Sequence, residues 1–455
     1  MKLQVTIALF LGLAACTEKN PALCSDESPC SDGLICRGNQ CVAETCTTAQ
    51  ECEAGAPYCS GGLCAMTCEI DAECPGFGGD VADAFCIGGT CAECRDASDC
   101  TDPTRAICDA HACRGCTADS ECASGACGAD GACVDAATLL YLDPSGFDGG
   151  SCTQPAPCKT LTFALSKATL NRYVVSMTAG QYVEAVNLDS STTAANRFEI
   201  HGHGAAVVAP AAQDSSAFVV TGGFSTLAIR DLSIAHQPNN LLFGSSLVLD
   251  NVSIQGAGGV VDASGGMTAT NVSITGLDGI RIRAQFTANG FSLTSPTTNM
   301  FTALEIRDAV VSATNLVVSG AAYRCINFFG TTSGSISFAT IADCGSSLSA
   351  IEGGPAAIKC AGSTVALQSS IVWSPGSTFD PIDQCNFSHM IIGPRAVAGA
   401  SFADPQFKNL GAHDVRLNAT SPAIDMIEAG PMTDVAGTSR PQGPRFDLGA
   451  YEYNP

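Results

Sequence analysis

An eight-residue phrase recurs along the middle of the chain: LAIRDLSI from residue 227, LVLDNVSI from 247, MTATNVSI from 267, FTANGFSL from 286, VSATNLVV from 311, ISFATIAD from 336 and VALQSSIV from 365. The starts fall 20, 20, 19, 25, 25 and 29 residues apart, a near-constant period that points to stacked coils rather than one central core. Positions one and three are apolar or small in every copy, as in Leu227 and Ile229 or Phe286 and Ala288, so alternate side chains point inward from a strand. Position five is Asp231, Asn251, Asn271, Gly290, Asn315, Thr340 or Ser369. These residue types accept a left-handed backbone or bond their own main chain, so each coil is expected to turn there, with asparagines hydrogen-bonding along the axis.

This spacing resembles the right-handed parallel β-helix of the pectate-lyase-like superfamily, and the resemblance implies an all-β solenoid. Before the ladder, LLYLDPSGFDGGSCTQPAPCKTLTFALSKAT resembles the opening of bacterial β-helix proteins. Its Leu161, Ala164, Leu165 and Ala168 form one apolar stripe of a short helix, expected to plug the open end of the bore. After the ladder, DPQF (404–407), DVRLNATSPAID (414–425) and TDVAGTSRPQGPRFDLGAYEY (433–453) resemble the choice-of-anchor Q module of bacterial surface proteins. Asp434, Gly437, Arg440, Pro441, Asp447, Gly449, Ala450 and Glu452 fall on its motif and are expected to form a structural cap. The module has glycine soon after its SPAID run; here Met426 to Ala429 precede Gly430, which implies a longer turn.

Twenty-seven cysteines against one tryptophan imply an oxidising compartment. Twenty of them form five sets of four: Cys24, Cys30, Cys36, Cys41; Cys46, Cys52, Cys59, Cys64; Cys68, Cys74, Cys86, Cys91; Cys94, Cys100, Cys108, Cys113; and Cys116, Cys122, Cys127, Cys133. Each set is read as a small hairpin unit, with Gly38-Asn39, Gly61-Gly62 and Gly88-Gly89 as two-residue turns in the first three. Units this short cannot bury a core, so disulfides must hold them; four cysteines leave three pairings open in each. Cys91 and Cys94, and Cys113 and Cys116, have zinc-knuckle spacing but straddle repeat boundaries, and no metal is expected there. In spacing the units resemble the Dickkopf-like or EGF-like repeats of secreted myxobacterial proteins, which implies a stalk. Of the other cysteines, Cys152 and Cys158 are expected to pair across a turn. Cys325, Cys344, Cys360 and Cys385 are expected to staple the wider final coils, as Cys325 with Cys344 and Cys360 with Cys385; Cys325 with Cys360 also remains open.

At the N-terminus Lys2 precedes an apolar run, Val5 to Leu13, too short to span a bilayer. Leu13-Ala14-Ala15-Cys16 resembles a bacterial lipobox, which implies lipidation of Cys16 and attachment to the cell envelope, at the outer membrane or cell surface. The expected organisation is therefore a signal segment over 1–16, a cysteine-rich stalk over 17–135 and the β-helix over 136–455. Net charge is −23, and residues 17 to 135 alone carry 21 acids against 5 bases. That excess excludes nucleic acid as a natural partner.

His201-Gly-His203-Gly204 and Arg281-Ile-Arg283 resemble motifs of polygalacturonases, but the paired aspartates which that family needs as acid and base are missing, so the histidines are read as turn residues. Strand alternation places Arg281, Arg283, Glu305, Arg307 and Lys359 outward, with Arg324 between. A column of Arg283, Arg307 and Lys359 is expected up one face, with salt bridging of Glu305 as its plainest use. Calcium is a candidate at Asp143 and Asp148, and at stalk carboxylates such as Asp71, Glu73, Asp119 and Glu121; no other cofactor is expected. The functional expectation is a lipid-anchored binding or adhesion body for a polysaccharide or surface protein. Its alternative is a polysaccharide lyase or hydrolase with catalytic residues unassigned.

Overall fold

The computed structural model describes residues 34–37, 40–43, 58–60, 63–65, 68–71, 74, 85–128, 130–189, 195–208, 218–221, 225–235, 241–243, 246–256, 258–295, 302–345, 357–377 and 380–455. The chain divides into two compact units, Met1–Val134 and Asp135–Pro455.

In the first unit, antiparallel hairpins follow one another: Leu34–Arg37 with Gln40–Ala43, Tyr58–Ser60 with Leu63–Ala65, Phe85–Ile87 with Thr90–Ala92, and Ile107–Asp109 with Ala112–Arg114. The third turns through Gly88 (φ 59°) and Gly89 (φ 85°), and the fourth forces Ala110 (φ 48°) and His111 (φ 66°) into the same left-handed geometry, because the strand twist demands it. Sulfur supplies the interior. In each described repeat the first cysteine bonds the third and the second bonds the fourth: Cys68–Cys86 and Cys74–Cys91, Cys94–Cys108 and Cys100–Cys113, Cys116–Cys127 and Cys122–Cys133. Each cysteine of the two zinc-like spacings is thus bonded within its own repeat. Cys16, Cys24, Cys30, Cys46 and Cys52 lie outside the described residues.

The second unit is a parallel β-helix of three sheets. The first sheet climbs from Leu139–Leu142 and Val174–Met177 through the first halves of the phrases; the second carries their second halves; the third includes Val260–Ala263, Ile326–Phe329, Ile358–Lys359 and Ile382–Asp383. Two strands, Gly279–Thr294 and Leu304–Ser319, each run through the third, first and second sheets in turn. Inward positions stack like on like. Val261, Ile280, Leu304, Ile326, Ile358 and Ile382 form one such column, buried almost completely. Each coil buries its apolar edge only on its neighbours, so the array is cooperative along its axis.

From the rung of His203 onward the turn between the first and second sheets is left-handed: His203, Asp231, Asn251, Asn271, Gly290, Asn315, Phe338, Ser369 and His389 all have φ between 47° and 72°. The sixth phrase departs from its expected register. In the sixth phrase Gly334, not Ile336, pairs with Val311, so the turn falls on Phe338 and not on Thr340. Both registers put Ile336 inside, so alternation cannot separate them. Phe338 adopts the strained turn because its ring is buried outside the coil, against Gly430 and 5.2 Å below the Arg440 guanidinium. An eighth phrase, CNFSHMII, ends the ladder with His389 at the turn.

At the start, Thr160 caps the helix Leu161–Ser166, whose Leu161, Ala164 and Leu165 pack into the bore. The Glu184 carboxylate accepts from Leu161 N (2.6 Å) and Thr162 N (3.0 Å), satisfying donors that a helix leaves free. The C-terminal segment was expected to be a cap, but it covers a flank. From the rung of Val317 onward the outward row of the second sheet changes from Ser233, Ser253, Ser273 and Ser292 to Val317, Thr340 and Ile371. Val415 and Ala450 pack on Val317 and Ala342, while Leu417, Ala423 and Leu448 pack on Ile371, Trp373 and Ile391. Disulfides Cys152–Cys158, Cys325–Cys344 (Cα–Cα 5.6 Å) and Cys360–Cys385 (5.0 Å) close the first turn and the final coils.

Candidate functional site

The outward face of the third sheet carries two rows. Register aligns Asp262, Arg281, Glu305, Asn327, Lys359 and Asp383 in the first, one residue per rung with charges alternating around the amide. Arg283, Arg307 and Phe329 form the second. Lys359 therefore does not continue the column of Arg283 and Arg307; it stands above Asn327, because register and not strand position sets the row. Arg324 is not on the face at all. It lies in the turn before the strand Ile326–Phe329, 5% exposed, with its guanidinium 4.4 Å from the Tyr323 ring centroid and donating to that hydroxyl.

Charge on this face is only partly balanced. Arg307 Nη2 lies 3.7 Å from Glu305 Oε1 and its guanidinium sits 4.8 Å from the centre of the Phe329 ring. Both side chains of that pair are solvated, so the contact is worth ~0–1 kcal/mol. Arg281 and Arg283 are exposed and make no ion pair among the described residues. Arg283 also stands directly in register with Arg307, an arrangement of like charges that costs stability unless an anion lies between them. Asp262 and Asp383 belong to the face but are not singled out by the sequence pattern, while Asn327, in the same row, is only 4% exposed. The signal that places them is alternation with inward residues such as Val261, Ile326 and Ile382.

The histidines stand elsewhere. His201 is fully buried, with Nε2 3.7 Å from Glu199 Oε2, and residues 202 to 204 bulge at the turn opposite Asp231. They share no surface with Arg281, which lies on a different sheet. The described candidate calcium carboxylates accept hydrogen bonds from the chain itself. Asp143 accepts from Ser145 N (2.8 Å) and Thr178 Oγ1 (2.9 Å), and Asp148 accepts from Lys159 N (2.8 Å) and Thr160 N (3.0 Å). In the first unit Asp71 accepts from Cys86 N, Asp119 from Cys127 N and Glu121 from Thr117 N; Glu73 lies outside the described residues. Turn capping is the use the structure shows for the described ones among these groups. Among the described residues, the groups of three or more potential metal ligands are sets of disulfide-bonded cysteines.

No family model matches the sequence, and no curated protein matches it. Among solved structures the chain is similar to one described as the crystal structure of pectate lyase Pel9A, with 14% identity, a TM-score of 0.41, and coverage of 70% of this chain and 96% of that one.

Proposed function

We propose that the β-helix is a binding body for acidic polysaccharide, displayed at the cell surface, preceded in the chain by disulfide-stapled repeats and held to the envelope by lipid on Cys16. The third-sheet face carries this reading. Arg281, Arg283 and Arg307 stand within two rungs in a chain of net charge −23, and among the described residues the ion pair they form is the 3.7 Å contact of Arg307 with Glu305. A uronate carboxylate would bridge Arg283 and Arg307, relieving their repulsion, while the Phe329 ring offers an apolar seat for the sugar. Phrase spacing, lipobox and C-terminal motif support the surface setting by resemblance. The lyase alternative draws on the same exposed Arg281 and Arg283, since such an enzyme uses arginine or lysine to abstract a proton.

Binding to polygalacturonate is expected to fall at least tenfold in an Arg281→Ala/Arg283→Ala variant and to weaken steeply between low and high salt, because the contacts are exposed. Salt-independent binding, or binding indifferent to both substitutions, overturns the site. The same incubation is expected to produce no unsaturated ends; their appearance, lost in the double variant, would install the lyase reading instead. Cys16→Ser is expected to move the protein from the membrane to the soluble fraction. A wild type that never takes up labelled fatty acid would remove the anchor.

A further inference from the structure

The left-handed column between the first and second sheets borders a groove of about 430 Å³. Along its length each rung offers an Asx side chain and, two residues later, a serine hydroxyl. Asp231 with Ser233, Asn251 with Ser253 and Asn271 with Ser273 line it in register. From this geometry we infer a second binding site, for a neutral linear glycan lying along the helix axis.

Both ends of the groove are defined. At one, His203 and Gly204 stand up as a wall, because three residues, 202 to 204, occupy the space opposite Asp231 alone. Glycine is required there: a Cβ on Gly202 would lie 2.4 Å from Asp231 O, and Gly204 has φ 81°. The His-Gly-His-Gly motif thus shapes this groove. Towards the other end Gly290 leaves the column without a side chain, and Asn315 then donates to Thr433 O (2.9 Å) beneath the C-terminal segment. His203 to Asn315 is five rung intervals, about 24 Å at the usual strand spacing. The platform between them is ordered. Asp231, Asn251 and Asn271 share φ values of 49°, 52° and 51°, and Asn251 Nδ2 donates to Asp231 Oδ1, which ties the first two side chains of the column together.

Chemistry and pitch select the occupant. Among the described residues no lysine or arginine lines the groove and one carboxylate does, so an anionic polymer is disfavoured here, in contrast to the arginine face. An extended peptide repeats about every 6.7 Å and falls out of step with rungs about 4.8 Å apart. A sugar chain advances roughly one residue per rung, with hydroxyls that donate and accept as amide and serine groups require. Each rung contributes little, so affinity must accumulate with chain length.

The full-length protein would be titrated calorimetrically with cellotetraose, xylotetraose and mannotetraose. At least one is expected to bind with little salt dependence and about tenfold tighter than its disaccharide. An Asn251→Gly/Asn271→Gly variant removes the amides while keeping the left-handed backbone, as Gly290 does in the same column, and is expected to lose at least tenfold. Ser253→Lys, which fills the groove from a half-buried position on its floor, should do the same and decides the matter if the first variant misfolds by circular dichroism. The site is overturned if none of the three saturates, or if binding survives both variants. Arg281→Ala/Arg283→Ala should leave neutral-glycan binding unchanged, so failure here and failure of the acidic site are read separately; its loss in that variant would also overturn this site.

Discussion

Mild reduction is expected to unfold residues 68 to 134 completely while the β-helix stays folded. The interior of each described repeat is its own sulfur: Cys68, Cys74, Cys91 and Cys86 form one cluster, and Cys94, Cys100, Cys113 and Cys108 another. Breaking those bonds removes core and crosslink together, each bond being worth ~2–4 kcal/mol. In the β-helix, by contrast, Cys152, Cys158, Cys325 and Cys344 are at most 1% exposed within an apolar core that persists without them. Limited proteolysis after reductant should therefore cut within 68 to 134 and spare 135 to 455. Equal resistance of both units would sink this account. Peptide mapping without reductant extends the test. Cys36 opposes Cys41 and Cys59 opposes Cys64 across their hairpins, as Cys86 opposes Cys91. The first two repeats are accordingly expected to pair as Cys24–Cys36, Cys30–Cys41, Cys46–Cys59 and Cys52–Cys64.

Arg440→Met is expected to cost ~3–5 kcal/mol and to lift the C-terminal segment from the flank of the β-helix, because it strands buried carboxylates without their cation. Arg440 is 3% exposed; its Nη2 donates to Gly449 O (2.9 Å) and its Nε lies 3.6 Å from Glu452 Oε2. Around it the acids act as acceptors for the loop backbone. Asp434 accepts from Ala436 N, Thr438 N and Glu452 N, Asp447 from Asp425 N and Tyr453 N, and Glu452 from Gln442 N and Asp447 N. The single tryptophan, Trp373, is 8% exposed beneath this segment, so its emission should shift red in the variant. Unchanged emission and unfolding midpoint at pH 7.5 would refute the clasp. The damage should be smaller at pH 5. Burial raises the Asp447 carboxyl to about 6, partly countered by its backbone hydrogen bonds. Since that is above its value in the unfolded chain, the stability linked to its proton is complete below ~4 and lost as pH rises through about 6.

Much of this architecture is local and was legible in order. Alternation assigns the inner face, Asx and glycine mark the left-handed turns, and the cysteine count with its spacing delimits the repeats, because each depends on residues a few positions apart. Outward arginines at 281, 283 and 307 were readable for the same reason. What lies across coils was not. Whether Lys359 stands over Asn327 or over the arginines depends on the lengths of the connections between rungs, which carry no periodic signal. Arg324 left the face because a single turn ends before its strand begins. Phe338 took a position that suits asparagine because a segment about a hundred residues downstream buries its ring, and the gain from that burial outweighs the local cost of the left-handed backbone. The serine-to-valine change on the second sheet was in the sequence all along. Only tertiary structure identifies it as the place where the C-terminal segment docks, because an exposed apolar row has meaning only against the surface that covers it.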